Sequence, residues 1–170
     1  RAVTAPGDTV LVETPAYYGI LQLMESLGLR VLEIPANPGT GIDLELTAAA
    51  LREHDVAACL LVPSFSNPLG ALMPDDAKKA LVAMLARREI PLIEDDIYGD
   101  LHFDPGPRPR PAKAYDKQGL VMLCSSFSKT LAPGYRVGYA VPGRFRDQVE
   151  RLKFAQTVGT ATLPQMAVSD

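Results

Sequence analysis

Apolar residues in this chain fall in short runs, at positions 10–12, 31–34, 57–62, 90–93, 120–124 and 137–141, several of them without alternation. A run that is apolar at every position, not every second one, suits a strand covered on both faces. Segments of helical period lie between many of these runs. In "YYGILQLMESLG", Ile20, Leu21, Met24 and Leu27 share one face, and in "DDAKKALVAMLARRE", Ala77, Leu81, Met84 and Leu85 do the same. That second segment opens on Asp75 and Asp76 and closes on Arg87 and Arg88, which suits a helix dipole. "LELTAAALREH" supplies a third helix, and Pro164 in "TLPQMAVSD" marks the first turn of another. Strand and helix alternating in this order predicts an α/β fold: a three-layer sandwich with a mostly parallel sheet and helices on both faces. The short turn "LAPGYR" predicts that the last run, 137–141, returns antiparallel as a buried strand.

The chain has 170 residues, enough for one domain over 1–170. It is 47% hydrophobic and 22% charged, which supports a packed core. A formal net charge of -3 with no basic block argues against this segment itself gripping a nucleic-acid backbone. Cys59 and Cys124 lie in apolar runs and form no CxxC, which fits reduced thiols in a cytoplasmic protein. No apolar run approaches the roughly 20 residues of a membrane span, so no membrane partner is expected. Pro6-Gly7-Asp8 is a turn feeding the first strand, and both ends read as cut from a longer polypeptide.

In open parallel sheets, ligands collect at the carboxyl ends of the strands. The residues just past the runs are Tyr17 and Tyr18, then Asn67 in "PSFSNPLG", Asp95 and Tyr98 in "EDDIYGD", and Ser126, Ser128 and Lys129 in "SSFSK". Arg136 follows the lysine after a Pro-Gly turn. Each motif alone is weak: "SNPLG" is a turn, "SFSK" lacks the glycines of a phosphate loop, and His102 beside "EDD" fits no standard metal-ligand spacing. The proline-rich stretch at 103–116 reads as an exposed loop in preference to a polyproline ligand. Taken together, the strand ends place an amine, a carboxylate, an amide, phenols, hydroxyls and a guanidinium along one edge.

Lys129 stands between two runs expected to be buried, where a lysine is costly unless it has a partner or a task. An amine becomes a nucleophile when burial or a nearby positive charge such as Arg136 lowers its pKa. Two hydroxyls and an arginine suit a phosphate, and a carboxylate ending a buried strand needs a cation. Pyridoxal 5′-phosphate, with its aldehyde, phosphate and protonated ring nitrogen, answers all three demands.

In order and spacing, "GDTVLVETPAYYG", "PSFSNPLG", "IEDDIYGDL" and "SSFSKTLAPGYRVGY" resemble the large domain of fold type I pyridoxal-phosphate aminotransferases. The resemblance implies that Lys129 tethers the cofactor and shuttles a proton, and that Asp95 holds the ring nitrogen protonated. It implies further that Asn67 and Tyr98 bond the phenolic oxygen, that Tyr17 stacks on the ring, and that Ser126, Ser128 and Arg136 hold the phosphate. Details such as "EDDIYGDLHF" and "ERLKFAQTVGTATLPQMAVSD" look like the aminotransferase-like domain of MocR-type regulators in the GntR superfamily. That likeness implies an upstream winged helix-turn-helix for DNA, a C-terminal small domain, a homodimer, and an amino acid or pyridoxal-phosphate-related effector. A free-standing aminotransferase acting on an amino acid and a 2-oxo acid is the alternative.

Overall fold

A computed structural model describes residues 1–103 and 105–169. Seven strands form one sheet: β1 (Thr9–Thr14), β2 (Arg30–Asn37), β3 (Gly41–Ile42), β4 (Val56–Leu61), β5 (Leu92–Asp95), β6 (Val121–Ser126) and β7 (Gly138–Val141). Their spatial order is β3-β2-β1-β4-β5-β6-β7. The five strands from β2 to β6 run parallel, while β3 and β7 pair antiparallel at the two edges. The expected antiparallel return of β7 is present. The opposite edge strand, β3, was not anticipated, because two residues are too short to carry a period.

Connections between parallel strands are right-handed, so their direction decides which face each helix covers. From β1 the chain passes through α1 (Tyr18–Ser26) to β2 on one side, then returns through α2 (Leu44–Glu53) to β4 on the other side of β1. It continues outward through α3 (Asp75–Ala86) to β5. The reversal places α1 on one face and α2 with α3 on the other. Core packing follows: Val10, Val12 and Leu60 meet Met24 of α1, while Leu11, Cys59 and Leu61 meet Leu51, Leu81 and Leu85 of α2 and α3. Alternate residues of β1 thus bury on opposite faces, each such side chain contributing roughly 1.5–3 kcal/mol.

Helix ends are set locally. Asp43 caps α2, its carboxylate accepting from the N–H groups of Glu45 and Leu46 at 2.9 Å. Asp75 and Asp76 occupy the first turn of α3 as expected, but the helix ends at Ala86, so Arg87 and Arg88 lie just past it. Arg88 donates to the Leu51 carbonyl at 2.7 Å, joining α3 to α2.

Two expectations need correction. Run 137–141 is not a buried strand: only Val137 is buried, and all of β7 is exposed because it lies at the sheet edge. The proline-rich stretch 103–116 is not exposed throughout: past Pro107 it is mostly half-buried, with Ala112 buried and only Arg110 and Ala114 exposed, and Asp104 lies outside the described residues. From Arg108 onward it straps the α2–α3 face, where a 3-10 turn (Ala112–Tyr115) takes the place of a crossover helix. The buried Glu94 carboxylate accepts from the backbone N–H groups of Ala112 and Lys113 at 2.6 and 2.8 Å, which holds that turn against β5. Beyond β7 come α4 (Arg146–Thr157) and α5 (Thr162–Ser169), which bury none of their side chains. Among the described residues no helix is long and apolar enough to cross a membrane.

Candidate functional site

The strand order reverses at β1 and β4, the place where carboxyl ends splay and open a crevice in such sheets. A pocket of about 210 Å³ lies there, lined by Tyr17, Ile20, Val62, Asn67, Asp95, Ile97, Tyr98 and Lys129. Five of the expected site residues therefore meet in one cavity, although they come from the ends of β1, β4, β5 and β6.

Each is positioned by its own turn. Tyr17 precedes α1, and its ring lies so close over Gly19 that a Cβ there would stand 2.5 Å from the ring. Tyr17 and Tyr18 contact each other in a tilted pair with centroids 4.7 Å apart. Asn67 sits in a tight loop closed by the Ser64–Leu72 bridge and by the Ser66 N–H donating to the Ala71 carbonyl at 3.1 Å. Asp95 is the last residue of β5. Burial raises its carboxyl to about 6; the Ile97 N–H pulls the other way, and the charge of Asp96 adds to the rise. The Lys129 ammonium stands 6.0 Å from the Tyr98 ring centroid.

Lys129 itself is exposed, which corrects the expectation of a lysine in a packed interior. It lies in the turn after β6, where the Phe127 carbonyl accepts from the Leu131 and Ala132 N–H groups at 2.9 and 3.2 Å. The fully buried lysine is Lys78, whose amine donates to Ser64 Oγ at 3.1 Å and to the Arg110 carbonyl at 2.8 Å.

The remaining expected residues form a second cluster beside the pocket, joined to it through the chain at Ser128–Lys129. Ser126 Oγ and Ser128 Oγ are 2.7 Å apart, and the Ser128 N–H donates to Ser126 Oγ at 3.0 Å. Arg136 Nη1 donates to Ser128 Oγ at 3.4 Å and to the Pro133 carbonyl at 3.2 Å. Arg136 has φ 54°, a left-handed conformation costing an arginine of order 1 kcal/mol. Gly138 lets β7 approach: a Cβ there would lie 2.6 Å from the Ser125 carbonyl and 3.4 Å from Ser126 Cβ. Two hydroxyls and a guanidinium converge as an anion cradle needs.

Charged groups that sequence reading passed over lie on the reverse face of β5. Asp96 pairs with Arg108, Nη2 to Oδ2 at 2.5 Å, and Arg108 Nε reaches Asp100 Oδ1 at 2.6 Å. The strand period was the available signal, since Glu94 and Asp96 must face opposite Asp95. Glu13, near the end of β1, is also buried. Its carboxyl accepts from the Val62 N–H at 2.7 Å, and burial raises it to about 7.

Residues 1–169 match the family described as aminotransferase class I and II. The HTH-type transcriptional regulator YjiR of Escherichia coli is 44% identical over 168 residues, covering 99% of this chain and 36% of that protein. A second regulator of that organism, YdcR, is 42% identical over 170 residues, covering 100% of this chain and 36% of its own length. The chain thus spans about a third of the length of these relatives. Among solved structures, the α-aminoadipate aminotransferase LysN of Thermus thermophilus, complexed with N-(5'-phosphopyridoxyl)-L-leucine, superposes with a TM-score of 0.91 at 33% identity over 98% of this chain and 43% of that one. Matched over residues 1–169, the chain belongs to the class I and II aminotransferase family.

Proposed function

We propose that residues 1–170 are a pyridoxal-phosphate-binding, aminotransferase-like domain serving as the effector-sensing part of a MocR-type (GntR superfamily) transcription regulator. The observation that carries the cofactor reading is the meeting of Lys129, Asp95, Asn67, Tyr98 and Tyr17 in one pocket beside the Ser126–Ser128–Arg136 cluster. The donor set fits the cofactor group by group. An amine suits an aldehyde, a carboxylate a protonated ring nitrogen, an amide and a phenol an oxyanion, and the hydroxyl–guanidinium cluster a phosphate. Bound there, the cofactor supplies an electron sink for charge developing on the α-carbon of an amino compound.

This chain's residues do the rest. Lys129 Nζ would be the amine that holds the cofactor's aldehyde end and would move protons at the pocket rim. Asp95 would keep a proton at the ring nitrogen, Tyr17 would cover a ring face, and Arg136 with the two serines would hold the phosphate end. The regulator reading is supported by the likeness to YjiR and YdcR over this chain's whole length. In that reading DNA is held by a segment outside this chain, the protein is cytoplasmic, and the effector is a small amino compound or the cofactor itself. A homodimer is supported by α4 and α5, which leave Phe154, Leu163 and Met166 exposed.

The test is borohydride reduction of the full-length protein loaded with pyridoxal phosphate, followed by peptide mapping. The label is expected on the peptide containing Lys129 and is expected to vanish in Lys129→Ala. Label at another lysine refutes the reading. A free-standing aminotransferase is the second reading, favoured by the superposition on LysN. Rapid turnover in a broad amino-donor screen, with no DNA binding by the full-length protein, would select it.

A further inference from the structure

Period-two geometry turns Leu92, Glu94 and Asp96 to the face opposite Asp95. There Asp96, 1% exposed, receives Arg108 Nη2 at 2.5 Å, and the same guanidinium gives its Nε to Asp100 Oδ1 at 2.6 Å. Tyr98 lies between the two aspartates in sequence, so one planar fork fixes both ends of the short loop that carries it. The guanidinium also lies against that loop: a Cβ on Gly99 would stand 2.5 Å from both Arg108 Nη2 and Asp96 Oδ1. Arg108 is held in turn, donating to the Pro109 carbonyl at 3.1 Å, while the Arg110 carbonyl accepts from buried Lys78.

We infer that Arg108 is a positioning residue: by clamping Asp96 and Asp100 across the back of β5, it sets Tyr98 at the wall of the pocket. The purpose of that placement rests on the cofactor reading, whereas the clamp rests on geometry alone. A fork binding two carboxylates fixes direction as well as distance, which a single ammonium does not. Arg108 also pairs with the charge of Asp96, holding that carboxyl down against the burial that raises it.

The experiment places fluorotyrosine at position 98, and in a control protein at Tyr139, in the full-length protein. Fluorine NMR is recorded without cofactor, and pyridoxal phosphate affinity is measured separately. Arg108→Gln is expected to broaden or split the position-98 resonance, leave the position-139 resonance sharp, and weaken cofactor binding about tenfold. Arg108→Lys, which keeps the charge and loses the fork, is expected to fall between. Should Arg108→Gln not fold, Asp100→Asn leaves the buried Asp96 pair intact and is expected to broaden the same resonance. An unchanged position-98 resonance with affinity within about twofold overturns the inference. Equal broadening at both positions also overturns it, since Arg108 would then be merely structural. If the unsubstituted protein binds no pyridoxal phosphate, the cofactor reading fails, and the position-98 resonance still decides the clamp.

Discussion

Asp95 and Asp96 are adjacent in sequence yet serve opposite sides of the sheet: Asp95 lines the pocket, and Asp96 is tied to Arg108 behind it. The strand period separates them, and burial raises Asp95 to about 6. Only the ionised carboxylate pairs with a cationic ring nitrogen. Cofactor retention is therefore expected to decline as pH falls through about 6, and Asp95→Asn should lack this step. Equilibrium dialysis of both proteins at each pH cancels the cofactor's own titration in the ratio of dissociation constants. A ratio that does not change with pH refutes the pairing.

Glu13 offers a stability test independent of any ligand. Its carboxyl is raised to about 7 in the fold, above the ordinary glutamate value, so the folded state binds this proton more tightly than the unfolded one. Its contribution is fully present below the ordinary value and is lost as pH rises through about 7. Glu13→Gln can still accept from the Val62 N–H and carries no charge. Above pH 7 it is expected to be more stable than the parent by roughly 1–3 kcal/mol, with the gap closing in acid. Denaturant unfolding at acidic and alkaline pH reads the difference, and parallel profiles contradict it.

The Ser126–Ser128–Arg136 cluster is expected to recognise phosphate and nothing else of the cofactor. Arg136→Ala should weaken binding of pyridoxal phosphate by about ten- to a hundredfold, as loss of a charge-assisted hydrogen bond of roughly 1.5–3 kcal/mol requires. Binding of pyridoxal, which lacks the phosphate, should stay unchanged. Equal losses for both compounds would assign Arg136 a general structural role.

The two lysines are expected to divide between stability and chemistry. Lys78→Met leaves Ser64 Oγ and the Arg110 carbonyl without their buried donor and should cost about 1–3 kcal/mol in unfolding free energy. Lys129→Met removes an exposed amine and should leave the cofactor-free protein's stability unchanged within error. If the two variants unfold alike, the burial contrast does not govern stability.

Periodicity made the parallel sheet and three of the helices readable, because those patterns are local and repeat, and the short turn "LAPGYR" made the antiparallel return readable. Strand-end position then indicated Tyr17, Asn67, Asp95, Tyr98 and Lys129, which do line one pocket. The exposure of Lys129 and of β7 was not readable. A run of apolar residues looks the same at a sheet edge as at its centre, and strand order is what distinguishes the two.

Local pattern thus determined by itself which segments are strand or helix and which chemical groups end the strands. Tertiary packing alone decided that Lys78 is the enclosed amine, since its partners Ser64 and Arg110 stand 14 and 32 residues away. It likewise decided that Arg108 reaches back to Asp96, 12 residues earlier. The physical reason is that desolvation and pairing belong to the neighbours a side chain meets in space, and a one-dimensional period carries no record of them.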